Sequence, residues 1–283
     1  MAKQKREVEV VVLSDIHLGT YGCHAKELVA YLKSVSPKVL ILNGDVIDGW
    51  AFSKRYFPNS HMAVLSELFK MMKKGTQVIY ITGNHDEFLR KYTDLSMGNL
   101  FLTDKYLLEI EGKKHWIFHG DVFDHTTSGG AKFIAKLGGM GYDWLILVNR
   151  AINWVLEKFG KGKVSLSKKV KNSVKKAVKF IGDFEKKATE IAINNHYDYV
   201  ICGHIHQPDD KIWTTEKGSV HYLNSGDWIE NLSWLEYNHG EWNLKFFNEK
   251  DFEKPIIEKN DISVNMEELI HPKVFAEFAT QKV

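Results

Sequence analysis

Short apolar runs alternate with amphipathic stretches along the first hundred residues, and each run stops on polar residues suited to chemistry. Val8 to Leu13 reads as a buried strand that halts at Ser14-Asp15. Lys26 to Val35 has helical spacing and ends ahead of Pro37. Val39 to Leu42 is a second buried strand, stopping at Asn43-Gly44-Asp45. Met62 to Met72 is helical, with Gly75 as its stop signal. Val78 to Ile81 is a third strand, stopping at Thr82-Gly83-Asn84. Strand, helix, strand, helix, strand predicts a parallel sheet with crossover helices. In such sheets ligands bind outside the carboxyl ends of the strands.

The second half changes style. Tyr106 to Ile110 and His115 to His119 flank Glu111-Gly112-Lys113-Lys114. Lys211 to Thr215 and Ser219 to Leu223 flank Glu216-Lys217-Gly218. Ser233 to Tyr237 and Glu241 to Phe247 flank Asn238-His239-Gly240. These read as antiparallel hairpins forming a second sheet packed on the first. Tyr199 to Cys202 is another short strand, which makes Cys202 a core residue. Between the halves the pattern predicts a helical insert over Asp143 to Asn195. Trp144, Val148, Ile152, Val155 and Phe159 mark one helix. Val170, Val174, Ala177, Ile181, Phe184, Ala188 and Ile191 mark the next, after Gly160-Lys161-Gly162-Lys163.

Composition narrows the class. With 283 residues, 44% of them apolar and 26% charged, the chain has enough apolar material for a sizeable core, and disorder as the main state is excluded. Cys23 and Cys202 are too few for a disulfide scaffold or a four-cysteine zinc site, which favours the reducing cytoplasm. The basic residues of Met1 to Glu7 have no apolar core behind them, so neither a signal peptide nor a membrane span is expected. A net charge of +2 conceals a strong asymmetry. Lys158 to Lys179 holds nine lysines and no acidic residue, which leaves the remainder at −7. Like charges at helical spacing repel, so this run is expected to meet an anionic lipid surface rather than to serve solubility alone. Phe159 is the one aromatic next to these lysines, apart from the adjoining Phe180, so nucleic acid is not expected as a partner.

Five short motifs follow in order: Asp15-Ile16-His17, Gly44-Asp45-Val46-Ile47-Asp48, Gly83-Asn84-His85-Asp86, His119-Gly120-Asp121 and Gly203-His204-Ile205-His206. Singly, each could be a cap, a turn or a pair of surface histidines. Together, each at a strand end, they point to a shared metal centre. Residues two apart at a strand end point the same way, so Asp15 and His17 could grip one ion. His204 and His206 could do the same, or serve two adjacent ions. Carboxylate, imidazole and amide oxygen without thiolate suit divalent Mn, Fe, Zn or Mg. Asp86 and Asp121 read as partners of histidines rather than as ligands.

The set resembles the calcineurin-like metallophosphoesterases, whose signature is D-x-H, G-D-x-x-D, G-N-H-D/E, then H and G-H-x-H, over about Val8 to Asn248. The resemblance implies an α/β fold, a four-layer α/β/β/α sandwich with a helical insert acting as a lid. It implies a domain over residues 1–250, an insert at about 126–196 and a C-terminal extension over 251–283. It also implies two divalent ions, Mn first. Asp15, His17, Asp45 and His206 would hold one, and Asp45, Asn84, His119 and His204 the other, with Asp45 bridging. His85 would face substrate, oriented by Asp48. Such a pair activates water and clamps both oxygens of an in-line phosphoryl displacement. The Arg-Gly that follows in protein Ser/Thr phosphatases is absent here, and position 48 is Asp rather than the Tyr of purple acid phosphatases.

The run Asn224-Ser225-Gly226-Asp227-Trp228-Ile229-Glu230, the Gly203 to Pro208 context and the insert are similar to the UDP-2,3-diacylglucosamine hydrolase group of lipid A synthesis. That group cleaves a lipid-linked pyrophosphate to UMP and a lipid phosphate, and its well-studied branch has Arg where this chain has His85. The implied enzyme is cytoplasmic, with peripheral attachment to the inner face of the inner membrane through the lysines. The alternative substrate is a nucleotide or another small soluble phosphoester. A non-catalytic scaffold would show a broken ligand set, and none of the seven positions is broken. Trp228 is open to two roles, stacking on a substrate ring or packing.

Overall fold

The computed structural model describes residues 5–50, 56–123 and 167–253, with side chains from 178 onward in the last stretch. The expected helix over Trp144 to Phe159 lies outside the described residues. So do the first three lysines of the basic run, Lys158, Lys161 and Lys163, and the C-terminal extension from 254.

Two sheets stack face to face. The first contains β1 (Arg6–Leu13), β2 (Val35–Asn43), β3 (Gln77–Ile81), β4 (Ser96–Met97), β5 (Leu100–Thr103), β11 (Ser233–Asn238) and β12 (Glu241–Phe246), in the order β12-β11-β1-β2-β3-β5-β4. The second contains β6 (Lys105–Ile110), β7 (Lys113–Phe118), β8 (Tyr199–Cys202), β9 (Asp209–Thr215) and β10 (Gly218–Asn224), in the order β6-β7-β8-β10-β9. Alternation along each strand splits its side chains between two cores. Val10, Val12, Ile41, Ile79 and Ile81 meet Ile117, Ile201 and Leu223 between the sheets. On the outer face of the first sheet Val11, Leu13, Leu40 and Val78 pack against α1 (Ala25–Ser34) and α2 (Asn59–Lys73). Outside the second sheet Phe118, Val200, Cys202 and Tyr222 pack against α3 (Ser167–Asn194). The layers therefore run α/β/β/α. Among the described residues no helix is long and apolar enough to cross a membrane.

Three expectations are corrected. The β11–β12 hairpin does not join the second sheet: β11 lies antiparallel on β1, with Val10 opposite Tyr237 and Val12 opposite Leu235. The buried Glu236 fixes that choice. Its carboxylate accepts from both Arg6 guanidinium nitrogens at 2.8 and 2.7 Å, from the Tyr31 hydroxyl at 3.0 Å and from Trp234 Nε1 at 2.9 Å. The second sheet is also mixed, because β8 pairs parallel with both β7 and β10. The strand expected from Val39 begins at Val35 and passes through Pro37. Proline is tolerated there because β3 pairs with β2 only from Val39 onward, and the Pro37 carbonyl accepts from the Thr76 hydroxyl at 2.8 Å.

The face of α3 also shifts. Phe184, Ala188 and Ala192 are buried at steps of four, whereas Ile191, expected in that stripe, is 37% exposed. Trp228 is fully buried and stacks on Trp234, so it packs and meets no substrate. Cys202 is core, as its strand pattern predicts. The short β4 and β5 carry too little periodicity to stand out in sequence.

Burial alone would raise the Glu236 pKa, but Arg6, Trp234 and Tyr31 together outweigh it and lower the carboxyl below its ordinary 4.5. The stabilisation is therefore present above the ordinary glutamate range and lost as pH falls through the lower folded value. Glu236→Gln should lower unfolding free energy near neutral pH by about 2 kcal/mol. Urea titrations at pH 7 and pH 4 should show a smaller acid loss in the variant than in the wild type. An equal acid loss in both would assign the acid sensitivity elsewhere.

Candidate metal centre

Every residue singled out for chemistry lies just past the carboxyl end of a strand. Asp15 and His17 follow β1, Asp45 and Asp48 follow β2, and Asn84 and His85 follow β3. His119 follows β7, and His204 and His206 follow β8. Both sheets present these ends to the same edge of the sandwich. Three groups converge there: Asp15 with His17 and His206, Asp45 with His119 and His204, and His17 with Asp48 and His85. In each group the candidate ligand atoms lie within 4.8 Å of one another. His204 and His206 thus divide between two groups, while Asp15 and His17 share one.

Strand alternation is not what aligns these pairs. Asp15, His17, Asp45, His204 and His206 all take left-handed backbone, with φ of 52°, 54°, 53°, 67° and 51°. Such geometry in residues other than glycine costs on the order of 1 kcal/mol each. The loops after β1 and β2 hold one another in it. The Asp15 amide donates to the Gly44 carbonyl at 3.1 Å, His17 to Asp45 at 2.9 Å, and Asp48 back to Leu18 at 2.9 Å. Glycine is required where these loops press together. A β-carbon on Gly44 would collide with the His119 ring, and one on Gly83 with the Asp45 carboxylate.

Several ligand-type atoms are buried without a hydrogen-bond partner: Asp15 Oδ1, His17 Nε2, Asn84 Oδ1 and His119 Nε2. The far nitrogens of the histidines are held. His119 Nδ1 donates to the Asn43 carbonyl at 2.9 Å, which leaves Nε2 facing Asp45 Oδ2 at 3.2 Å. His17 Nδ1 meets Asp48 Oδ2 at 3.1 Å, and His206 Nδ1 lies 3.7 Å from Asp227 Oδ2. Outer partners of this kind fix the tautomer and aim of metal-ligating imidazoles. Asn84 sits between two residues that touch Asp45, since the His85 amide donates to Asp45 Oδ1 at 2.8 Å.

The charges agree with this reading. Burial opposes ionisation of Asp45, yet His119 beside it holds the carboxyl well below its usual range. Asp15 is likewise held to about 2 against its burial, chiefly by His206. Burial lowers His206, but Asp15 outweighs it and pushes the imidazole up to about 9. Anionic oxygens this deep demand nearby positive charge, which protons supply when no cation does. Carboxylate, imidazole and amide oxygens with unpaired inward atoms fit hard or borderline divalent cations.

Asp86 and Asp121 are corrected. Asp86 is no histidine partner: it accepts from the amides of Val46 and Gly83 and from the Tyr80 hydroxyl, tying the β2 and β3 loops together. Asp121 pairs with Arg90 at 2.5 Å. Sequence reasoning missed the role of Asp227, whose two carboxylate oxygens also collect the Ile229, Glu230 and Asn231 amides and the Asn231 side chain. It also missed His61 on α2, whose Nδ1 accepts from the Gly19 amide at 3.0 Å and so steadies the Asp15–His17 loop. An acidic residue three places past a strand end was the available signal for Asp227. Nothing local marked His61.

The family model described as Calcineurin-like phosphoesterase matches residues 8–208. The chain belongs to that family. It is a hydrolase of the metallophosphoesterase class, and its Asp and His clusters could hold the divalent metal that such enzymes use. Among curated relatives of this calcineurin-like chain, the UDP-2,3-diacylglucosamine hydrolase of Aliivibrio fischeri (strain MJ11) is 23% identical. That match covers 81% of this chain and 94% of the relative. The protein of the same name from Blochmanniella pennsylvanica (strain BPEN) is 24% identical, covering 82% and 92%. Among solved structures, the phosphoesterase Yfce of E. coli aligns over 88% of this chain and 99% of its own, at 13% identity and a TM-score of 0.43.

In this calcineurin-like site Asp45 belongs to the group with His119 and His204, and its Oδ2 lies 3.9 Å from His17 Nε2 of the group with Asp15 and His206. Asp45→Asn should therefore bind fewer metal ions per chain and lose most activity on an activated phosphodiester. Elemental analysis beside a rate assay tests this; full metal content with an unchanged rate would remove Asp45 from the centre.

Proposed function

We propose that the chain hydrolyses a lipid-linked pyrophosphate, UDP-2,3-diacylglucosamine first, to UMP and a lipid phosphate. The observation that carries this reading is the match to hydrolases of that name over more than nine-tenths of their length. In this reading Asp15, His17, Asp45 and His206 hold one divalent ion, and Asp45, Asn84, His119 and His204 the other, with Mn the first choice. The pair supplies an activated water and a clamp on the phosphoryl oxygens. Asp48 orients His85, whose Nδ1 lies 2.8 Å from Asp48 Oδ2. Burial lowers the His85 pKa, but the Asp48 and Asp45 carboxylates outweigh it and raise it above the ordinary histidine value. A charged His85 can bind a phosphate oxygen or hand a proton to the leaving group.

The lysine-rich run supports a cytoplasmic enzyme attached peripherally to the inner face of the inner membrane. Val122, 56% exposed, precedes the insert, and Val178, 64% exposed, lies on its helix α3; both suit acyl chains. His85 in place of arginine favours a second reading, a soluble nucleotide or other small phosphoester, because imidazole offers one donor where a guanidinium offers a fork.

His85→Ala should keep its metal content and lower turnover by about 10²-fold or more. Loss of metal in that variant would make His85 a ligand. Neutralising Lys168, Lys169, Lys175 and Lys176 together should weaken binding to anionic vesicles. It should slow a lipid substrate while leaving a small phosphodiester nearly unchanged. Equal slowing of both substrates would give the lysines a role in the fold, and no slowing of either would favour the soluble substrate.

A further inference from the structure

His85 is enclosed on nearly every side. Its Nδ1 lies 2.8 Å from Asp48 Oδ2, and its amide donates to Asp45 Oδ1 at 2.8 Å. The Gly49 amide donates to its carbonyl at 2.8 Å. The His17 ring meets it edge-on, with centroids 4.6 Å apart and planes at 85°. The remaining wall is Trp50, whose ring centroid lies 4.3 Å from that of His85 at an interplanar angle of 38°.

Trp50 differs from the other walls. His17, Asp45 and Asp48 are buried just past strand ends, whereas Trp50 is 47% exposed with its ring tilted against that of His85. Its own amide donates to Asp48 Oδ1 at 3.0 Å, so Trp50 grips the same carboxylate that faces the imidazole. It covers the outer side of the imidazole, leaving His85 12% exposed at its side chain.

We infer that Trp50 is a positioning residue for His85, the outer wall that fixes the imidazole plane and keeps bulk water off it. This rests on the role given to His85 above. A reacting group displaced by about 1 Å costs up to about 10²-fold in rate, so a wall that sets the plane of a proton-transferring ring acts on turnover rather than on binding.

The test is a double-mutant cycle on bis(p-nitrophenyl) phosphate with Mn, with metal content measured for every variant. Trp50→Ala should lower kcat at least about tenfold, with KM and metal content unchanged. Trp50→Phe, which keeps a ring over His85, should recover most of the loss. In a His85→Ala background, Trp50→Ala should cost nothing further, because the residue it positions is gone. A loss that persists in that background as a raised KM would overturn the inference and make Trp50 a substrate platform. A loss with falling metal content would overturn it in favour of a structural role. Full activity in Trp50→Ala would overturn it outright. Should His85→Ala alone leave turnover unchanged, the role of His85 fails instead, and that result is read before the cycle is closed.

Discussion

A buried negative charge at the seam between two sheets governs this structure. Asp45 is almost wholly enclosed, with His119 Nε2 at 3.2 Å and His17 Nε2 at 3.9 Å from the same carboxylate oxygen. An isolated carboxylate at such depth would cost several kcal/mol. The surroundings show how it is tolerated: an amide on one oxygen, and on the other a pair of imidazoles whose far nitrogens are fixed to Asn43 and Asp48. Removing the need for positive charge at that spot would leave the left-handed turns at Asp15, His17, His204 and His206 without a purpose.

The sandwich supplies what those turns require. Parallel strands β1, β2 and β3 end at the same level, and so do β7, β8 and β10 from the facing sheet. Six strand ends then meet at one edge. Because ladder pairing holds the strands in register, a loop can adopt strained dihedrals without drifting. The cross-links between loops, Asp86 from β3 to β2 and His61 from α2 to β1, spread that strain across neighbouring elements.

Much of this was legible in the chain. Apolar runs ending in Asp-x-His or Gly-Asp gave both the strand and the ligand, because the two signals are adjacent in sequence. The parallel core and the insert helix, with Phe184 and Ala188 inward, followed from periodicity. Long-range partner choice was not legible. The β11–β12 hairpin looks like any other, and only Glu236 meeting Arg6, 230 positions away, assigns it to the first sheet. The imidazole partners were equally hidden. The Asn43 carbonyl has no side-chain signature, and Asp227 sits in a run that reads as a loop. The left-handed turns escaped for a related reason, since they are imposed by contacts between loops and run against the local preference of Asp and His.

The ligand set and the substrate are controlled by different parts of the molecule. With a divalent pair bound, the seven ligand-type residues would act on phosphoryl oxygens and water, not on what the phosphate carries. Discrimination must come from side chains that the core leaves unused near that edge. Tyr21 and Tyr92 follow β1 and β3, and each stays about half exposed or more. Val122 follows β7, and Val178 precedes the packed half of α3, and both are also exposed. Apolar and aromatic surface at these positions is costly to leave in water and is not recovered by packing. A substrate with apolar bulk recovers it, whereas a small, fully polar phosphoester does not. The exposed rim therefore suits the lipid-linked substrate proposed above, while the imidazole of His85 suits the small phosphoester named as its alternative.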